Sequence, residues 1–160
     1  MELKVVEMKI PAGANLILGQ SHFIKTVEDI YEVMVGTAPA AKFAVAFSEA
    51  SGDCLVRLEG NDEGLIEAAR HSSLSLACGH TFVVLMKGAY PINVLNAIKA
   101  VQEVCAIFCA TANPLQVVVA ETEQGRGIMG VIDGFPPKDA EGPAQVEVRR
   151  NLLRRFAYKL

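Results

Sequence analysis

Four short segments of the sequence carry more polar and small residues than folding alone asks for, and each suggests a chemistry. Gly19-Gln20-Ser21-His22-Phe23-Ile24-Lys25 stands just ahead of a stretch with helical periodicity. Backbone N–H groups at a helix start suit an anion, and Lys25 adds charge there; the plainer reading is a polar turn with His22 on the surface. Phe47-Ser48-Glu49-Ala50-Ser51-Gly52 closes an apolar run, and strand ends are where open α/β sheets display ligand groups. Glu49 there can meet a ribose hydroxyl or a metal ion, or be an ordinary turn acid. In Ala110-Thr111-Ala112-Asn113-Pro114 the Asn-Pro step marks a turn, and the Asn113 amide offers a donor and an acceptor able to read a base edge. Gly125-Arg126-Gly127-Ile128-Met129-Gly130 formally matches GxGxxG. That motif works only when a helix N-terminus follows to receive a pyrophosphate. Val131-Ile132-Asp133-Gly134-Phe135-Pro136-Pro137 follows instead, so the dinucleotide reading fails. A glycine-rich turn between strands, with Arg126 free to meet a phosphate, fits better.

Other devices are missing. There is no GxxxxGK[ST] phosphate loop and no GxSxG nucleophile elbow. Nothing specifies a Ser-His-Asp triad. Cys54, Cys78, Cys105 and Cys109 form no CxxC pair. They are expected to be buried, reduced thiols, although Cys105 and Cys109 have helical i, i+4 spacing. With only three histidines and no paired cysteines, no metal site is expected. The net charge of −3 gives no reason to expect nucleic acid as a partner. Glu2, Lys4, Glu7 and Lys9 interrupt any leader-like apolar segment, and no run approaches the length of a membrane helix. A soluble, cytoplasmic protein is expected.

Hydrophobic residues make up 51% of the 160 and charged residues only 21%, which leaves the surface relatively apolar and favours association with copies of itself. The charge is uneven. After Glu147 there is no acid, whereas Arg149, Arg150, Arg154, Arg155 and Lys159 crowd the end. That pattern is either a solvated basic face suited to a helix C-terminus or a helix facing phosphate or another subunit.

Periodicity supplies the elements that must position these residues. Glu2 to Ile10 alternates as a half-buried strand, and Asn15 to Gly19 is a short extended stretch. Thr26 with Asp29 resembles a capping box, followed by Val27, Ile30, Tyr31, Met34 and Val35 on one helical face up to Gly36. Lys42 to Phe47 and Cys54 to Glu59 make a hairpin around Ser51-Gly52-Asp53. Asn61 is the expected cap of a second helix ending by Gly79, and His80 to Met86 is a strand. Pro91 starts a third helix, whose face is expected to run through Leu95 and Ile98 to Cys105. Phe108 to Thr111, Leu115 to Ala120 and Ile128 to Ile132 read as strands, and Gln145 to Tyr158 as a final helix. The expected architecture is α/β: a single compact domain over 1–160, with helices packed against one mixed β-sheet.

The strings GQSHFIKTVED (19–29), FSEASG (47–52), RLEGND (57–62), YPINVLNAIK (90–99), CATANP (109–114) and GRGIMGVIDG (125–134) resemble the adenosine-specific kinase family, in order through nearly the whole chain. Ala44 and Thr81 stand where that resemblance leads one to expect glycine and serine. The resemblance implies a small α/β homo-oligomer, trimers paired into a hexamer, with adenosine or AMP as its small-molecule ligand. His22, Glu49, Asn61, Asn93, Asn113, Arg126 and Asp133 fall inside the matched strings and become site candidates. As a phosphotransferase making AMP from adenosine, the protein would use ATP and Mg2+, with Arg126 and Lys25 supplying positive charge. Glu49 would then contact the metal and Asp133 act as base. As a non-catalytic adenosine or AMP binder, a sensor or store, it would need no cofactor, and Phe23, Asn113 and His22 suffice for stacking and readout.

Overall fold

The computed structural model describes residues 1–160. Along the chain run β1 (Glu2–Met8), β2 (Asn15–Ser21), α1 (Thr26–Thr37), β3 (Lys42–Ser48), β4 (Val56–Gly60), α2 (Glu63–Leu76), β5 (Thr81–Lys87), α3 (Pro91–Lys99), β6 (Val104–Thr111), β7 (Leu115–Glu121), β8 (Arg126–Asp133) and α4 (Pro143–Arg155). The order of strands and helices is the one the periodicity predicts. Its arrangement is not: in place of one mixed sheet there are two, ordered β4-β3-β5-β2-β6 and β1-β7-β8. Every ladder in them is antiparallel. The helical crossovers suggest parallel neighbours, but each skips a position. β5 inserts between β2 and β3, which α1 joins, and β2 inserts between β5 and β6, which α3 joins.

The apolar runs of β3 and β5 are solid rather than alternating because the large sheet is covered on both faces. Ile17, Phe43, Val45, Phe47, Phe82, Val84 and Met86 point to one side, where α1 and α3 bring Ile30, Met34, Val94 and Ile98. Leu16, Leu18, Val83, Leu85 and the small Ala44 and Ala46 point to the other. There α2 contributes Leu65, Ala69 and Leu76, and the small sheet contributes Met8, Leu115, Val117 and Val119. α2 and the small sheet thus share one side of the large sheet and meet along a seam.

Several local expectations change. Thr26 and Asp29 make no capping box. Lys25, already helical at φ −51° and ψ −24°, stands at the cap position without a side-chain capping bond, its Nζ donating to Asp29 instead, and Thr26 Oγ1 hydrogen-bonds Ser21 Oγ (2.7 Å) and donates to the Phe23 carbonyl (2.6 Å). Asp62, not Asn61, caps α2, accepting from the Leu65 N–H at 3.0 Å. α3 stops at Lys99, so Cys105 and Cys109 lie on β6; a four-residue spacing fits the period of a strand as well as that of a helix. Because β6 is an edge strand and Cys54 occupies a turn, Cys54 and Cys105 are exposed and Cys109 is only partly covered. Of the four thiols expected inside, Cys78 alone is buried. α4 contributes no buried residue at all.

Candidate functional site

Where the seam reaches the C-terminal end of β3, three chain ends converge: the turn after Ser48, the C-terminus of α2, and the β7–β8 hairpin. They leave a cleft of about 660 Å³, within the size range of sites for small organic ligands. The backbone around it is unusual. Four non-glycine residues have left-handed φ, and Cys54 (53°) and Ala77 (51°) line the cleft while His80 (59°) adjoins it; the fourth is Ala157. Such conformations cost about 1–3 kcal/mol each and cluster at functional sites. Gly79 is needed for packing here, since a Cβ would come within 2.8 Å of Ala50 Cβ.

The cleft wall also holds two hydroxyls without a partner. Ser48 Oγ and Ser73 Oγ make no hydrogen bond although their residues are 7% and 1% exposed. Buried polar atoms are nearly always bonded, so two unpartnered hydroxyls beside a cavity mark a place where a bound molecule could complete them.

Charge reaches the cleft on Arg126, the first residue of β8. Its Nε donates to Glu121, and its Nη1 donates to the Ser75 carbonyl at 3.3 Å, at the electronegative C-terminal end of α2. Nη2 makes no bond within the protein. A parallel bridge between Cys78 and Arg126 holds the same two elements together. Lys4 and Arg126 both hydrogen-bond Glu121 and hold its carboxyl below the usual carboxylate range. Glu49 is held low as well, first by the Leu55 N–H (2.8 Å) and then by Arg57 Nη2 (2.9 Å). Burial pushes the Cys78 thiol up, against an opposing pull from Arg126, so it is no ready nucleophile.

Comparison with known proteins decides the lineage. The family model described as "Adenosine specific kinase" matches residues 6–159. The chain belongs to the adenosine specific kinase family. Among solved structures, it is similar to the crystal structure of the PH1918 protein from Pyrococcus horikoshii OT3. The identity is 41% over 99% of this chain and 98% of that one, and the TM-score is 0.95. A comparison with curated proteins gave no match.

Within this family fold the candidate residues fall into three groups. Glu49 and Arg126 share the cleft. His22, Phe23 and Lys25 lie at the start of α1, joined to the cleft by a backbone relay in which Ser21 N–H donates to the His80 carbonyl and His80 N–H to the Ser48 carbonyl. Their side chains are exposed, and the N–H groups of residues 26–29 already donate to the carbonyls of Phe23, Ile24 and Lys25. The first-turn N–H groups of α1 are therefore already engaged within the chain. Asn113 and Asp133 lie together at the opposite end of β8: Asp133 Oδ1 accepts from Thr111 Oγ1 (2.6 Å) and from Asn113 Nδ2 (3.1 Å). Strand geometry puts Asp133 roughly 23 Å from Arg126 along β8.

The remaining two asparagines work on the fold. Asn61 accepts from Phe43 N–H at 2.8 Å and donates to the Ala41 carbonyl at 2.9 Å, fastening the start of β3. Asn93 accepts from Tyr90 N–H at 2.9 Å and caps α3. Ser73 and Ala77 to Gly79 escaped sequence reading because they look like the tail of an amphipathic helix; the run of small residues in Ala77-Cys78-Gly79 was the available signal.

Proposed function

We propose that this protein binds adenosine and AMP in the cleft between its two sheets and transfers a phosphoryl group from ATP to adenosine. It would act as a cytoplasmic homo-oligomer of three or six chains. The observation that carries the placement is a nucleoside-sized cleft with two unpartnered buried hydroxyls and an arginine on its walls. Hydroxyls of Ser48 and Ser73 suit a sugar or a base edge. The free Nη2 of Arg126 suits a phosphate. The family's description, adenosine specific kinase, supports adenosine as the ligand and phosphoryl transfer as the reaction.

In that reaction the 5′-hydroxyl of adenosine attacks the γ-phosphorus of ATP, loses its proton, and ADP departs. No cluster of three His, Cys, Asp or Glu side chains could hold a metal, and Glu49 already serves Leu55 and Arg57. Mg2+ would arrive on the ATP phosphates, as it commonly does. Asp133 can act as the base only in another chain's cleft, since it lies at the far end of β8 in its own. The same commitments favour a second reading, in which the cleft binds adenosine or AMP without turnover.

Calorimetry with adenosine, AMP and guanosine, beside chromatography for AMP and ADP after incubation with adenosine, ATP and Mg2+, separates these readings. Binding with AMP formation supports the first, and binding alone supports the second. Failure of adenosine and AMP to bind at about millimolar concentration refutes the cleft as their site.

A further inference from the structure

Two apolar surfaces of this chain have no partner within it. The first is the outer face of the small sheet. Val117 and Val119 point inward to the core, so alternation turns Val118 outward together with its cross-strand partner Val5, and Leu3 follows two residues along β1. Met129 protrudes at the irregularity opposite Val118 and Val119, and Gly127 and Gly130 leave open space beside it. Leu3, Val5 and Met129 are 64%, 57% and 65% exposed.

The second surface is on α4. Val146 and Leu153, seven residues apart, are its only half-buried side chains. Val148, Leu152 and Phe156 form a separate stripe at i, i+4, i+8, on a different side of the helix, and are 67%, 39% and 57% exposed. The stripe is about 12 Å long, and three strands make a face about 10 Å wide.

Charge selects what covers these faces. The last twelve residues hold five of the 15 basic residues and none of the 18 acidic ones, so they carry +5 against −8 on the rest of the chain. Two such helices packed on each other would set like charges together. A helix laid on the outer face of the small sheet meets the exposed Glu7, two residues along β1 from Val5.

We propose that α4 of one copy docks through Val148, Leu152 and Phe156 on the outer face of the small sheet, at Val5, Val118 and Met129, of a second copy. This rests on the homo-oligomer proposed above and names its contact. The interface is heterologous, helix on sheet, so it closes a ring or is exchanged reciprocally in a pair.

Complementation tests it. The full chain, Val5→Glu, and the double variant Leu152→Glu/Phe156→Glu are each weighed by light scattering at about 20 µM, with far-UV circular dichroism melts showing that each is folded. The chain itself should give three or six times 17.2 kDa, and each variant should fall to a smaller mass, that of the single chain where this contact alone joins the copies. Val5→Glu keeps an intact helix and the double variant keeps an intact sheet face, so mixing the two should restore a species heavier than either variant alone. A single-chain mass for the unaltered protein, including one that shifts only on adding RNA, overturns both the oligomer and this contact. An oligomer whose mass either variant leaves unchanged, or variants that dissociate but do not recombine, overturns the contact and leaves the oligomer standing.

Discussion

Replacing Arg126 by alanine tests the cleft most directly, because the side chain has one structural and one recognition role that different ligands separate. Structurally it joins β8 to α2 through the Ser75 carbonyl and partners Glu121. Losing it does not strand Glu121, which keeps Lys4 at 2.7 Å. The change should therefore cost about 1–2 kcal/mol of stability, in the range of one hydrogen bond to a charged group. In recognition, the free Nη2 matters only when the ligand carries a phosphate. A charge-assisted bond of that kind contributes about 1.5–3 kcal/mol, so AMP affinity should fall roughly ten- to a hundredfold while adenosine affinity changes less than about threefold. Arg126→Lys keeps the charge without the fork and should recover part of the AMP loss. Calorimetry on both ligands, with a thermal melt to confirm folding, reads all of this. Equal weakening of adenosine and AMP would show that Arg126 shapes the cleft without touching phosphate, and the phosphate assignment would be wrong.

Asn61→Ala removes both amide bonds at the start of β3 and should lower stability by about 2–3 kcal/mol in urea titration, with AMP affinity of the folded protein intact. Asn113→Ala should likewise leave the preference for adenosine over guanosine untouched, because its amide serves Asp133 at the end of β8 away from the cleft; loss of that preference by calorimetry would move the base reader there. Glu49 and Glu121 both have folded pKa values below the ordinary 4.5. Their stabilisation is full above that pH and is lost as pH falls through the lowered values, so Glu49→Gln should flatten the acid limb of a stability–pH profile. A thiol reagent at pH 8 should find two fast cysteines, Cys54 and Cys105, and two slow ones. Cys78 is slow through burial and Cys109 because burial and Asp133 push its thiol up to about 11. Of the two fast thiols, AMP should slow Cys54 alone, since Cys54 lines the cleft and Cys105 does not.

Much of this molecule was legible in its residues one window at a time. The order of twelve elements follows from periods of two and 3.6, and the solid apolar runs of β3 and β5 announce burial on both faces. These are local properties, carried by neighbours in sequence, and so was the set of strings that placed the chain in its family. The family model itself confirms that lineage across residues 6–159. The pairing of strands is not local. Nothing within β2, β3 or β5 says that β5 lies between the other two, because that depends on which faces fill a common core. The cleft has the same origin. Ser48, Ser73 and Arg126 come from a strand end, a helix end and a hairpin far apart in sequence, and only the seam between two sheets brings them together. Glu49 and Arg126 fell on that seam. Asp133 did not, because an eight-residue strand carries its two ends to opposite edges of the fold, whatever motif they share in sequence.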